Sequence, residues 1–411
     1  MVACLTCFPE SLPRQTNLTN SPTIFTSEEA ISLLHKCQHF KHLKQIHGKI
    51  ICTGLERDQG VVTNLLRVCS SYGKMEYARH VFDKMSSRPT TFMWNVMIKG
   101  FSANGEGSEA VGFYNRMVRE GVELDKFTFP FVVKACGSVA KGKEVHMMAV
   151  KTGFGGDLYF QNCLMDFYFK CGEVLCGRKV FDKMRVRNVV SWTTVIAGYV
   201  LCNELDVARV LFEDMPVRNV VSWTAIIDGY ARNGRPQEAF DLFWRMQLEN
   251  VKPNEFTLVS LLIACTELGS LKLGAWVHDF ALKCGFKLGI YLGTALIDMY
   301  SKCGSLEDAK KVFHEMEKRS LATWNSMITS LGVHGCGEEA LSLFTDMEMA
   351  NVQPDAITFV GVLSACIHLN NVELGVKLFD YMKERYGIQP IQEHYSCMLE
   401  LHSRESMMEE A

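Results

Sequence analysis

Along this 411-residue chain, apolar positions recur at helical spacing in paired runs. The clearest pair lies in Val220 to Asn254, VVSWTAIIDGYARNGRPQEAFDLFWRMQLENVKPN. Ile226, Ile227 and Tyr230 share a helical face, Asn233-Gly234 breaks the pattern, and Pro236 opens a second run through Ala239, Phe240, Leu242, Phe243 and Met246. Lys252-Pro253-Asn254 then stops the helix and turns the chain. The pattern predicts a helix, a glycine turn, a second helix and a proline loop. One such hairpin cannot cover its own apolar stripe, and the chain meets this by repeating it.

Val189 to Asn219 begins VVSWT, Leu321 to Asp355 begins LATWN and ends NVQPD, and Thr91 to Asp125 begins TFMWN and ends GVELD. Trp94, Trp192, Trp223 and Trp324 hold the same place in these copies. A second variant runs from FTFP, FTLV or ITFV to a cysteine, as in Phe127 to Cys136, Phe256 to Cys265 and Ile357 to Cys366. A third carries YxKCG, at Tyr168 to Gly172 and Tyr300 to Gly304. The copies recur every 31 to 35 residues, a period that predicts an all-α solenoid of helical hairpins. Units are expected at 27–58, 59–90, 91–125, 126–157, 158–188, 189–219, 220–254, 255–289, 290–320, 321–355 and 356–391, followed at 392–411 by a partial terminal repeat that stops inside its second helix.

Composition narrows the picture. Apolar residues make up 48% of the chain, ample for a core, and a net charge of −3 argues against binding nucleic acid by bulk phosphate neutralisation. Single-stranded bases can still be read by polar side chains on a concave face. The sixteen cysteines are too scattered for a disulfide framework. Cys37, Cys136, Cys265 and Cys366 recur at one repeat position, Cys171 and Cys303 at another, as reduced helix-packing residues would. No apolar run is long enough to span a membrane. Residues 1–26 differ from the rest: rich in Thr, Ser, Pro and Asn, with no helical period, they suit an organelle transit segment or a disordered tail. Their scarcity of Arg favours a plastid over a mitochondrion.

The segments VVSWTAIIDGYARNG, EALSLFTDMEMANVQPD, FTLVSLLIACTELGSLKLG and IDMYSKCGSLEDAKKVF closely resemble the pentatricopeptide repeat family of plant organelle RNA-binding proteins, in the subclass that alternates standard, long and short repeats. The tetratricopeptide family shares the hairpin, but its W-x2-L-G-x2-Y signature is absent. The resemblance implies a right-handed superhelix that binds single-stranded organelle RNA, one base per repeat. It implies a role in C-to-U editing-site recognition with an editing deaminase or editing cofactor protein recruited in trans, or else in RNA stabilisation or splicing. A peptide-binding helical scaffold is the alternative from a different class.

In that family the fifth residue of the first helix and the last residue of the repeat select the base. Carried onto this chain, Thr193 with Asn219 and Thr224 with Asn254 resemble adenine readers. Asn95 with Asp125 and Asn325 with Asp355 resemble uracil readers, and Asn162 with Asn188 a pyrimidine reader. Val190 and Val221, at the second position, would flank the base. Pro130, Val259 and Val360 occupy the fifth position of long repeats and predict spacers or weak readers, while Thr63 with Thr90 and Thr294 with Ser320 stay ambiguous.

Hydrogen-bond chemistry supports part of this. Ionised Asp only accepts; uracil N3 carries a proton to offer it, whereas cytosine N3 is itself an acceptor. Asn can turn its amide either way and is expected to discriminate less. The competing reading is that these Asn, Asp and Thr residues merely cap helices.

No catalytic constellation is visible, and neither a metal nor a cofactor is expected. None of the twelve histidines starts an H-x-E, and no C-x-x-C follows residue 7, so the deaminase zinc signature is missing. Gly105-Glu106-Gly107 has the spacing of a phosphate loop without its third glycine, and falls at an interhelical turn.

Overall fold

The structure, a computed structural model, describes residues 25–85 and 87–409. Among them it is all-α: twenty-three α-helices, one short 3-10 turn and no strand. The helices pair into hairpins and sort into two compact units, one up to Phe160 and one from Gln161 onward. Cys4 and Cys7, and almost all of the proposed transit segment, lie outside the described residues.

In the first unit the hairpins are Ser27–His35 with Phe40–Cys52, Gln59–Ser71 with Met75–Asp83, Thr91–Ala103 with Gly107–Arg119, and Thr128–Ala135 with Val139–Lys151. Trp94, fully buried, packs edge-on against Phe82 of the preceding hairpin, with ring centroids 4.7 Å apart. Both glycines of the Gly105-Glu106-Gly107 stretch have structural duties. Gly105 turns the chain at φ +79, and a Cβ on Gly107 would meet the Ala135 carbonyl oxygen at 2.5 Å.

The second unit repeats this packing. Trp192 lies on Phe181 at 5.0 Å, Trp223 on Phe212 at 4.7 Å and Trp324 on Phe313 at 5.1 Å, always edge to face. Each phenylalanine belongs to the second helix of one hairpin and each tryptophan to the first helix of the next, so the ring pair is the joint between neighbours. A third group completes it. Arg187, Arg218 and Arg319 lie over these same phenylalanines, 4.5, 5.0 and 4.6 Å from the ring centroids. Each also donates Nε–H to that phenylalanine's carbonyl, at 3.1, 3.0 and 2.8 Å, and an Nη2–H to the following one. The arginine thus satisfies carbonyls left open at a helix end and fixes the loop entering the next hairpin.

The expected two-helix form of the terminal repeat is not what the chain adopts. Gln392–Glu409 is one unbroken helix. Where Gly304 turns the chain at φ +84 in an earlier unit, Ser406 stands in the last one, and without the glycine the helix continues.

Candidate functional site

The last residue of a repeat is also the residue that starts the next helix. Asn188, Asn219, Asn254 and Asp355 are N-caps of the helices Val189–Leu201, Val220–Arg232, Glu255–Glu267 and Ala356–His368. In each, the side-chain Oδ1 accepts the backbone N–H of the third helical residue, at 3.0 Å from Ser191, 3.0 Å from Ser222, 2.9 Å from Thr257 and 2.9 Å from Thr358. The hydroxyl of that third residue accepts the cap residue's own N–H in return. Asp125 caps from further back, its Oδ1 accepting from the N–H groups of Phe127 and Thr128, both at 2.9 Å.

Helix capping therefore does not occupy the whole side chain. The cap uses Oδ1. It leaves Nδ2 of Asn188, Asn219 and Asn254, and Oδ2 of Asp125 and Asp355. A turned amide would point its NH2 at a backbone donor, so the cap fixes which way each asparagine faces. The cap therefore removes the free amide rotation expected of these asparagines.

The fifth-position residues differ among themselves. Asn95 and Asn325 are buried and donate Nδ2–H to Oδ1 of Asp125 and Asp355, both at 2.9 Å, so these two pairs are brought together directly. Thr224 Oγ1 is 3.4 Å from Asn254 Oδ1 and 2.7 Å from Thr257 Oγ1. Thr193 instead donates to the Val189 carbonyl at 2.8 Å, turning its hydroxyl back onto its own helix. Asn162 is buried with an unpartnered Oδ1, while Asn188 Oδ1 is taken by Ser191. Of the ambiguous units, Thr294 reaches Thr323 Oγ1 at 2.7 Å, and Thr323 is the capping partner of Ser320.

Two groups escaped the sequence reading. The first is the third-position hydroxyl: Thr128, Ser191, Ser222, Thr257, Thr323 and Thr358 are all buried, and each bonds the cap residue before it. Its signal was a Ser or Thr three residues after each of Asp125, Asn188, Asn219, Asn254, Ser320 and Asp355. The second is the full second-position row. Val190 and Val221 are exposed, and so are Phe92, Phe127, Tyr159, Phe256, Tyr291 and Ile357. Exposed aromatic rings cost hydration unless something covers them.

These groups meet in clefts. In the first unit, Arg67, Phe92, Asn95, Lys99, Phe127 and Phe131 line one of about 630 Å³. In the second, Lys302, Ala322, Asn325, Asp355 and Ile357 line one of about 700 Å³. A polar amide or carboxylate, an apolar side chain and a cation thus share one concavity, which suits a planar heterocycle carrying a negative charge.

The buried cysteines Cys69, Cys265 and Cys366 are poor nucleophiles. Burial pushes the Cys69 and Cys265 thiols up to about 12 and Cys366 to about 11. Cys37, Cys136, Cys171 and Cys303 are half-buried.

A family model described as "PPR repeat family" matches residues 89–138, 218–267 and 319–368, and one described as "PPR repeat" matches 61–89, 162–189, 190–220, 294–321 and 357–386. A pentatricopeptide repeat-containing protein of Arabidopsis thaliana, named chloroplastic, is 57% identical over 386 residues, covering 93% of this chain and 85% of its own length. Another from Arabidopsis thaliana, named mitochondrial, is 42% identical over 369 residues, covering 89% of this chain and 54% of its own. The chain spans 59 to 61% of the length of several further relatives. A solved pentatricopeptide repeat protein in complex with an 18-nt psaJ RNA element has 16% identity and a TM-score of 0.48, over 95% of this chain and 64% of that one.

Proposed function

Because this chain belongs to the pentatricopeptide repeat family, we propose that it binds single-stranded organelle RNA and reads it one base per repeat. The observation that carries the reading is the fixed division of each cap side chain, one polar atom bonded to the helix and one left over. Asn188, Asn219 and Asn254 have a donor to spare, which adenine N1 and cytosine N3 can accept. Asp125 and Asp355 have an acceptor to spare, which the N–H of uracil N3 or guanine N1 can fill. The second-position side chains, from Phe92 to Ile357, supply faces for the bases, and Arg67, Lys99 and Lys302 meet the phosphates. With a net charge of −3, affinity rests on these local contacts, so its salt dependence is shallow.

The biological step is the recognition of a C-to-U editing site, with the deaminase or an editing cofactor protein recruited in trans. That assignment rests on the resemblance to the subclass of alternating repeats. The compartment is the plastid, supported by the composition of the first 26 residues and by the chloroplastic name of the 57%-identical relative. The deciding experiment sequences RNA crosslinked to the protein in organelle extract. The expected result is a transcript set sharing U, any base, pyrimidine, A, A in that order beside an edited cytidine. Crosslinks without a shared element would overturn base reading, and a shared element far from any edited site would overturn the editing role.

A further inference from the structure

We propose that Glu255 supplies the base-selecting acceptor of unit 255–289, whose own fifth and last residues, Val259 and Gly289, carry no polar side chain. Resting on the base-selection reading above, this gives a specific preference to a unit that looks unspecified. Gly289 is the N-cap of the helix Ile290–Lys302, with extended backbone and no side-chain cap bond. The third N–H of that helix belongs to Leu292, the position that Asn219, Asn254 and Asp355 serve elsewhere. Here it donates to Oε1 of Glu255 at 3.1 Å. A Cβ built on Gly289 would lie 3.2 Å from the same Oε1.

The carboxylate therefore stands where a last-residue side chain would, and it does that side chain's capping work. Gly289 is not required by backbone conformation, since φ −72 and ψ 177 suit any residue. What sets the position apart is the missing side chain, replaced from the first residue of the same unit. Capping uses Oε1 and leaves Oε2, as Asp355 leaves Oδ2. The rest of the local apparatus is present. Phe256 and Tyr291, both exposed, flank the unit at the second positions with ring centroids 5.5 Å apart. A spare carboxylate oxygen accepts the ring N–H of uracil or guanine and repels the ring acceptors of adenine and cytosine.

The test is binding of the full chain to RNAs that differ only at the nucleotide following the two adenines. The expected preference is for U and G over A and C by roughly 5- to 150-fold, the worth of one good base-edge contact. Glu255→Gln keeps an oxygen for Leu292 and offers an NH2 in place of Oε2, so the preference shifts to A and C. Glu255→Ala abolishes it, and adding Gly289→Asp to Glu255→Ala restores U and G. Asp355→Asn, read at its own nucleotide, is the control. If Asp355→Asn changes its nucleotide and Glu255→Gln does not, the assignment to Glu255 is wrong while base reading stands. If neither changes, base reading fails and Glu255 with it.

Discussion

The Thr358 hydroxyl lies 2.6 Å from Oδ1 of Asn325, bridging the first helices of neighbouring hairpins. The same hydroxyl is 3.0 Å from Asp355 Oδ1 and accepts the Asp355 N–H at 3.0 Å. One buried threonine therefore holds both residues assigned to uracil selection in unit 321–355. Replacing it with Val preserves shape and removes every one of these bonds. Thr358→Val is expected to blunt the preference for U over C at that nucleotide several-fold, with little change at its neighbours, and Thr358→Ser to retain it. A uniform loss of affinity at all positions would mean the hydroxyl only stabilises the fold.

The adjacent units proposed to read adenine give the cleanest exchange of specificity. Asp caps helices as well as Asn does, so Asn219→Asp and Asn254→Asp are expected to fold normally. Each converts the spare donor to an acceptor, which adenine N1 cannot fill and guanine N1–H can. At about 1–3 kcal/mol per contact, the double variant should move from AA toward GG by roughly tens-fold or more. Competition between AA- and GG-containing oligonucleotides measures it, and an unchanged preference would leave these residues as caps alone.

The hairpin period was legible because it is written in residue types: the joint tryptophans at 192, 223 and 324 recur, and the turns take residues that tolerate positive φ, Gly234 and Gly304 or, in unit 189–219, Asn203. The positions of Asn219 and Asn254 were equally plain, but not their chemistry. Capping and base reading draw on the same residue types, and only the geometry shows Oδ1 committed to a backbone N–H. Glu255 was hidden for a different reason. It bonds a main-chain N–H 37 residues away, and a main-chain partner leaves no trace in the sequence. Thr193 shows the limit in reverse, since a residue of the same type as Thr224 turns back onto its own helix.

Arg218 is expected to matter for stability beyond its charge. Its guanidinium bonds the Phe212 and Glu213 carbonyls at 3.0 and 2.8 Å and lies 5.0 Å from the Phe212 ring. Arg218→Ala should cost about 1–2 kcal/mol from the freed carbonyls and the lost ring contact. Arg218→Lys should recover little of it, because an ammonium cannot reproduce the planar fork. Denaturant unfolding of the three proteins checks this, and a Lys variant as stable as wild type would reduce the site to simple charge.

The Glu213 carboxylate offers a pH test of the contact between the helices Leu205–Asp214 and Pro236–Leu248. It takes both Nη groups of Arg245, at 2.6 and 3.0 Å, and Nε of Arg209 at 2.7 Å. The Arg245 bonds, reinforced by the charge of both arginines and opposed by burial, lower its pKa from 4.5 to about 2. A lowered folded-state pKa means the unfolded chain binds the proton more readily. The contribution is therefore complete above the unfolded value and is lost as pH falls from there through about 2. Glu213 and Arg245 are each 37% exposed, so solvent screening holds the gain to about 1 kcal/mol or less. The difference in Tm between wild type and Glu213→Gln should be widest above pH ~5 and close progressively toward pH ~2. A difference that stays constant across that range would assign the loss to altered packing, because the other carboxylates titrate alike in both proteins and a packing loss does not titrate.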